Sequence, residues 1–197
     1  MKIGLIDYGA GNLGSMRSAL TQIDLDFVNI STADQIGNMD ALIIPGVGAF
    51  NSGIQNLRAK EMPDEIITFA KTGKKILGIC LGMHLLATSG NEGGHALGLN
   101  LIPGEILKLT KSTTNRVPHI GWDSITTKNH EREDFAYFAH SYFFALPINT
   151  NCETVSSFYW DEKLLPAVIR KDNVIGIQFH PEKSHNFGLK LLRESLA

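Results

Sequence analysis

From Lys2 to about Thr88 the chain alternates two textures. Short apolar runs of strand length end at turn-forming residues, and between them apolar residues recur three and four positions apart, as on one face of a helix. Lys2–Tyr8 is the first run, closed by Gly9-Ala10-Gly11-Asn12, and Leu13, Met16, Leu20 and Ile23 then mark a helix. Asp26–Ser31 reads as a second strand, and Ala41–Ile44 as a third that stops at Pro45-Gly46-Val47-Gly48. A longer helical stretch follows, broken near Pro63, with Ile66, Ile67 and Ala70 as its apolar stripe. Lys75–Ile79 is a fourth strand, and Leu81 to about Thr88 reads as a helix entered directly from it. Such alternation implies a largely parallel sheet with helices on both faces, which binds ligands beyond the carboxyl ends of its strands.

After about Gly98 the texture changes. Strand candidates follow one another at Glu105–Thr110, Trp122–Thr127, Phe135–Leu146, Glu153–Tyr159 and Leu165–Arg170, several joined by turn-like sequence as in antiparallel hairpins. Val174–Phe179 is a further apolar strand, and a helix at about Phe187–Leu196 closes the chain. The expectation is one α/β domain over residues 1–197, carrying an antiparallel extension. Composition leaves this picture intact: of 197 residues, 43% are hydrophobic and 19% charged, an ordinary globular balance. A net charge of -2 removes a broad electrostatic grip on nucleic acid. No apolar run has the length of a membrane span, and strand-like sequence at Lys2 takes the place of a secretory leader. Two cysteines make no disulfide framework, so a soluble, reduced, cytoplasmic protein is expected.

The densest chemistry is in Gly78-Ile79-Cys80-Leu81-Gly82, which has the shape of a nucleophile elbow with Cys at its centre. A strand that turns at once into a helix strains the central residue, and the flanking glycines remove side chains that would collide there. Cys80 then stands at a helix start, where its thiolate is favoured, and the Leu81 N–H points toward a developing oxyanion. A buried structural cysteine between packing glycines is the alternative; the strand before and the apolar helix after favour the nucleophile. A thiol nucleophile needs a base, and that base an orienting partner. His180 ends the strand before Pro181, at the sheet end where Cys80 also lies, and Glu182 is close enough to accept from its second ring nitrogen. The glycines of Pro45-Gly46-Val47-Gly48 let backbone N–H groups approach a ligand, so this loop is a candidate second oxyanion donor or a plain strand-to-helix turn. Gly9-Ala10-Gly11-Asn12-Leu13-Gly14 matches a dinucleotide fingerprint, but the second strand ends in Ile30-Ser31-Thr32 with no acidic residue in place. It reads as a tight turn.

With Cys80, His180 and Glu182 in that order, the chain resembles the class I (triad) glutamine amidotransferases, and most closely the glutaminase subunits of imidazole glycerol phosphate synthase. The resemblance is carried by IDYGAGNL at Ile6–Leu13, PGVGAF at Pro45–Phe50, GICLGM at Gly78–Met83, VPHIGW at Val117–Trp122, HSY at His140–Tyr142 and QFHPEKS at Gln178–Ser184. It implies a flavodoxin-like fold, a glutamyl thioester on Cys80, His180 as base and then acid, and Glu182 as its orienting group. It implies an oxyanion site at Leu81, Gly46, Val47 and Gly48, and glutamine held by the Gly48 region, Glu92, His140, Ser141 and Tyr142. It also implies ammonia transfer to a (β/α)₈-barrel cyclase subunit in a heterodimer, with Tyr8, Asn12, Trp122 and Lys183 in partner-facing segments. Such glutaminases read GICLGMQ, whereas residue 84 here is His, which offers one donor and one acceptor on opposite nitrogens. A tolerated change and an altered use of glutamine both stay open. So do a paralogous glutaminase serving nucleotide-sugar or surface-glycan amidation, and a regulatory subunit that has lost turnover.

The remaining candidates take structural readings. Cys152 has no base partner in sequence, and His95, His130 and His185 show no metal-ligand spacing. His119, between Pro118 and Gly121, reads as part of a turn, and Glu131-Arg132-Glu133-Asp134 as a solvated loop. No metal and no organic cofactor are expected.

Overall fold

The computed structural model describes residues 1–111, 115–127 and 133–197. Ile3–Ile6 (β1), Phe27–Ile30 (β2), Ala41–Ile44 (β3) and Lys75–Ile79 (β4) form the first part of a nine-stranded sheet. The helices of this half are Leu13–Gln22 (α1), Phe50–Ala59 (α2), Met62–Lys71 (α3) and the short Leu81–Leu85 (α4). Ser89–Gly90 (β5), Ala96–Leu97 (β6) and Glu105–Lys108 (β7) follow. Then come His119–Thr127 (β8), Glu133–His140 (β9), Tyr142–Ala145 (β10), Glu153–Trp160 (β11), Lys163–Lys171 (β12), Val174–Ile177 (β13) and the closing helix His185–Leu196 (α5).

The large sheet runs β2-β1-β3-β4-β13-β12-β11-β8-β9. Its first five strands are parallel and in the flavodoxin order, and the remainder is antiparallel. A smaller sheet, β10-β7-β5-β6, lies beside it. The period of two in the parallel strands sorts their residues onto two faces. Leu5, Ile43, Leu77 and Ile177 pack with Met16 and Leu20 of α1 and Leu192 of α5. Leu42, Ile44 and Ile76 pack with Leu57 of α2, Ile66 and Phe69 of α3 and Leu85 of α4. Both faces of the parallel half are covered, which is why β1, β3 and β13 are buried at every residue.

Five details differ from the sequence expectation. The break between α2 and α3 falls at Lys60–Glu61, with Glu61 at φ 55°, and Pro63 sits in the first turn of α3, where its missing N–H costs nothing. Helix α4 ends at Leu85 rather than near Thr88, because the carbonyls of Leu85, Leu86 and Ala87 accept from the N–H groups of Leu99, Leu101, Ile102 and Asn100. The run Phe135–Leu146 is two strands. Ser141 separates them, and its two sides enter different sheets: β9 pairs with β8, β10 with β7. His119 lies at the start of strand β8, not in a turn. Glu133 and Asp134 open β9, while the expected loop at 131–132 and His130 lie outside the described residues. Among the described residues no helix is long and apolar enough to cross a membrane.

Candidate active site

Cys80 leaves β4 at φ 53° and ψ −110°, a conformation costly for a residue with a side chain. Its surroundings hold it there. Its N–H donates to the Ile177 carbonyl of β13 at 2.7 Å, and its carbonyl accepts from the His84 N–H of α4. The glycines are demanded by contact: a Cβ on Gly82 would stand 1.7 Å from the Ile44 carbonyl oxygen, and one on Gly78 2.6 Å from the Gly82 oxygen. The elbow therefore fits only with glycine on both sides of the cysteine.

His180 arrives from β13, one strand away. Its backbone N–H donates to the Tyr137 carbonyl, and the Ser184 hydroxyl donates to its own carbonyl at 2.7 Å, so the residue is anchored before its ring is considered. Nδ1 lies 2.8 Å from Glu182 Oε1, with both side chains almost fully buried. Burial opposes charge on this ring, but hydrogen bonds with Cys80 and Glu182 and their negative charges outweigh it, carrying the pKa from 6.5 up to about 10. A thiol, an imidazole that holds a proton beside it and a buried carboxylate that orients the imidazole form a complete nucleophile–base–orienter set.

A cavity of about 390 Å³, ordinary for a small-molecule site, opens beside the cysteine. It brings together Val47, Gly48, Cys80, Leu81, His84, Glu92, His140, Ser141 and Tyr142, all singled out in the sequence. Of the loop residues, Gly46 stays beneath the surface, where a Cβ would meet the Tyr8 hydroxyl at 2.2 Å. Ala49, Pro118, Ile120 and Ala139 complete the wall without having been foreseen. Glu92 reaches the site from the β5–β6 connection. Its carboxylate accepts from the Phe50 N–H at the start of α2, and burial raises its pKa against that bond. A larger hollow of about 540 Å³ lies near Glu182, Lys183 and His185, away from the cysteine.

Three further histidines surround the cavity or its wall. His84 Nε2 lies 2.8 Å from Gln178 Oε1, and burial, only partly offset by that hydrogen bond, lowers its pKa to about 4. The ring is neutral at pH 7. With the proton on Nε2, Nδ1 is left as an acceptor, which among the described residues has no partner. His140 Nδ1 lies 2.8 Å from the Tyr142 carbonyl oxygen, and burial and then the neighbouring His119 hold its pKa well below the usual range. His119 stacks on Phe138 and Phe158. Neither Gln178 nor His119 was assigned a role from sequence, although each stands inside a recognised segment.

The partner-facing expectations divide. Asn12 is exposed and caps α1 through the Ser15 N–H. Trp122 is 47% exposed and stacks on His185 at 4.6 Å, and the Lys183 ammonium lies 5.4 Å from the centre of the Tyr137 ring. Tyr8 does not belong with them. It is 1% exposed, and its hydroxyl donates to the Pro45 carbonyl at 2.7 Å, so it supports the glycine loop from below. Gly11, from the turn that mimics a dinucleotide fingerprint, packs on Gly46 of the same loop.

Comparison with known proteins agrees with this geometry. The model of the glutamine amidotransferase class-I family matches residues 4–196. Imidazole glycerol phosphate synthase subunit HisH of Prochlorococcus marinus subsp. pastoris is 44% identical, with 98% of this chain and 96% of that one covered. The protein of the same name from Caldanaerobacter subterraneus subsp. tengcongensis is also 44% identical, over 97% of this chain and 95% of its own length. Among solved structures, a glutamine amidotransferase superposes with a TM-score of 0.80 at 18% identity, covering 98% of this chain and 96% of that one. PurLQS from Thermotoga maritima gives a TM-score of 0.75 at 18% identity, over 99% and 97%. Matched over nearly its whole length, the chain belongs to the class-I glutamine amidotransferases.

Proposed function

We propose that the chain, folding as one domain over residues 1–197, is the glutaminase subunit of a cytoplasmic imidazole glycerol phosphate synthase. It hydrolyses glutamine and delivers the ammonia to a (β/α)₈-barrel cyclase subunit in a heterodimer. The observation that carries the reading is the buried Cys80–His180–Glu182 set at the mouth of a cavity of substrate size. The likeness to HisH subunits over nearly full length supports the acceptor reaction.

In this mechanism the Cys80 sulfur, its proton held by His180, adds to the side-chain amide carbon of glutamine. The resulting oxyanion is met by the Leu81 N–H and by N–H groups of the Gly46–Gly48 loop; one such donor is worth on the order of 10²–10³ in rate. The carbon–nitrogen bond then breaks as His180 gives its proton to the leaving ammonia. Water, deprotonated by His180, attacks the thioester, and the carbon–sulfur bond breaks to release glutamate. Glu182 keeps the imidazole in the orientation both transfers need. Glu92, His84 and the His140–Tyr142 segment hold the amino-acid end of the substrate.

From the rim of the cavity outward, Ile120, Trp122 and Phe135 expose 63%, 47% and 56% of their surface on neighbouring positions of β8 and β9, with Lys183 nearby. An apolar strip rimmed by charge suits the docking of the cyclase. The test is glutamate release by the chain alone, with the cyclase of the same genome, and with the cyclase loaded with its ribonucleotide. Stimulation by the loaded cyclase is expected. Cys80→Ala should abolish glutamine-dependent synthesis while synthesis from ammonium salts continues. Glutamine-dependent synthesis surviving in that variant would remove Cys80 from the mechanism.

A further inference from the structure

Behind the cavity wall lies a chain of hydrogen-bonding groups that the mechanism above does not use. It starts at the Tyr142 carbonyl, 2.8 Å from His140 Nδ1. A carbonyl only accepts, so His140 carries its proton on Nδ1 and its Nε2 is a bare lone pair. His119 Nδ1 lies 3.3 Å from that lone pair and must donate to it. At the far side of the same ring, His119 Nε2 lies 3.1 Å from Asp123 Oδ2, an acceptor again. Both nitrogens of His119 have a polar partner, so the ring is held from two sides.

The contact with Asp123 is built rather than incidental. Side chains four residues apart on a straight strand lie about 13 Å from each other at their origins. Strand β8 passes between them through Gly121 at φ +137°, a conformation that favours glycine, and the two groups meet. Stacking on Phe138 and Phe158 fixes the plane of the His119 ring, and its side chain is 12% exposed.

We propose that His119 is a positioning residue for the substrate pocket: braced by Asp123 and stacked on Phe138 and Phe158, it fixes the His140 ring and through it the His140–Tyr142 wall. The inference rests on the reading that glutamine occupies this cavity. Without a donor at this position the His140 Nε2 lone pair is left unpaired, and the wall loses its support. The groups facing this ring are Asp123 on its own strand, His140 from β9, and the rings of Phe158 and Trp160 from β11. His84 and His180 also act on His140 electrostatically. Loss of this support bears on substrate binding rather than on the chemical step.

Steady-state glutaminase kinetics of the cyclase complex test this. His119→Phe keeps the stacking but removes the donor; the KM for glutamine should rise on the order of tenfold, with kcat changed by less than about threefold. His119→Asn carries an amide N–H close to where Nδ1 stood, so its KM should stay near that of the wild type. Asp123→Asn weakens the brace on His119 Nε2, so its KM should rise, but less than that of His119→Phe. Equal rises in KM for the Phe and Asn variants would overturn the proposal, since packing alone would then explain both. So would a KM for Asp123→Asn equal to that of the wild type. Should His119→Phe fail to fold, as judged by circular dichroism, the Asn variants decide alone. Protection of Cys80 from iodoacetamide by glutamine separates this inference from the one beneath it. No protection in the wild type sinks both, whereas full protection of His119→Phe at wild-type glutamine concentrations sinks only the role of His119.

Discussion

Replacing His84 by Gln restores the residue usual in such glutaminases, and the structure gives its effect on stability a size and a pH window. In the unfolded chain this imidazole takes a proton near pH 6.5; in the folded protein burial, against the Gln178 hydrogen bond, delays that to about 4. Between those values unfolding takes up a proton, so the wild type loses stability as pH falls, and the loss is complete only below about 4. At about pH 4.5 the two pKa values correspond to about 2.5 kcal/mol. Glutamine has no such titration. Its amide can also face Gln178 without leaving a charge to bury. His140, whose pKa is lowered in the same sense, is present in both proteins and largely drops out of the comparison. Urea unfolding of both proteins at about pH 7 and about pH 4.5 should therefore show the wild type losing about 2.5 kcal/mol more than His84→Gln between the two conditions. Parallel losses, to within about 0.5 kcal/mol, would refute the reasoning. They would mean that the His84 ring is solvated or protonated in the folded state.

Two further substitutions probe the elbow and the base. Glu182→Gln removes charge that holds the proton on His180, so the alkaline limb of kcat/KM, set by that group near 10, should move down, and kcat should fall on the order of 10³–10⁴-fold. A loss below about tenfold with the limb unmoved would show that Glu182 does not orient the base. Gly82→Ala drives a methyl group into the Ile44 carbonyl and should cost more than about 3 kcal/mol in thermal unfolding. A melting temperature within about two degrees of the wild type would mean the β3–α4 approach is looser than described.

Much of the fold could be read from the chain where apolar runs end at residues that stop them. Ala41–Ile44 and Lys75–Ile79 have the bounds expected, because Pro45 and the Cys80 elbow terminate them. That Cys80, His180 and Glu182 come together was legible for a similar reason: each half is a short local motif at a strand end, and parallel topology brings strand ends together. What escaped depends on long-range partners. Nothing local marks Ser141 as the boundary between two sheets, since Tyr142–Ala145 continues the apolar pattern and only the pairing with β7 redirects it. Pro118 and Gly121 suggest a turn, yet pairing with β9 draws His119 into a strand, and the Gly121 bend serves the Asp123 contact. Tyr8 was assigned outward because its segment is. The side chain itself turns inward and donates to the Pro45 carbonyl. The acceptor-only state of His84 in the cavity depends on Gln178, ninety-four positions away.

Strand β13 is the seam between the parallel and antiparallel halves of the large sheet, and the seam has a consequence for how the protein ages and diverges. Sulfur and imidazole hang from adjacent strands whose backbones are laddered together up to Ile79 and Ile177, with one more bond from Cys80 itself. Their separation is thus a property of the sheet interior, the last region to open, and heat cannot part them without melting the molecule. The outer wall of the cavity and the apolar strip beside it hang from the antiparallel side, tied to the seam through β12 and β11. Sequence drift on that side alters what enters the cavity and what docks against it, while the reacting pair keeps its distance. One strand therefore divides a half that is locked from a half that is free to be retuned.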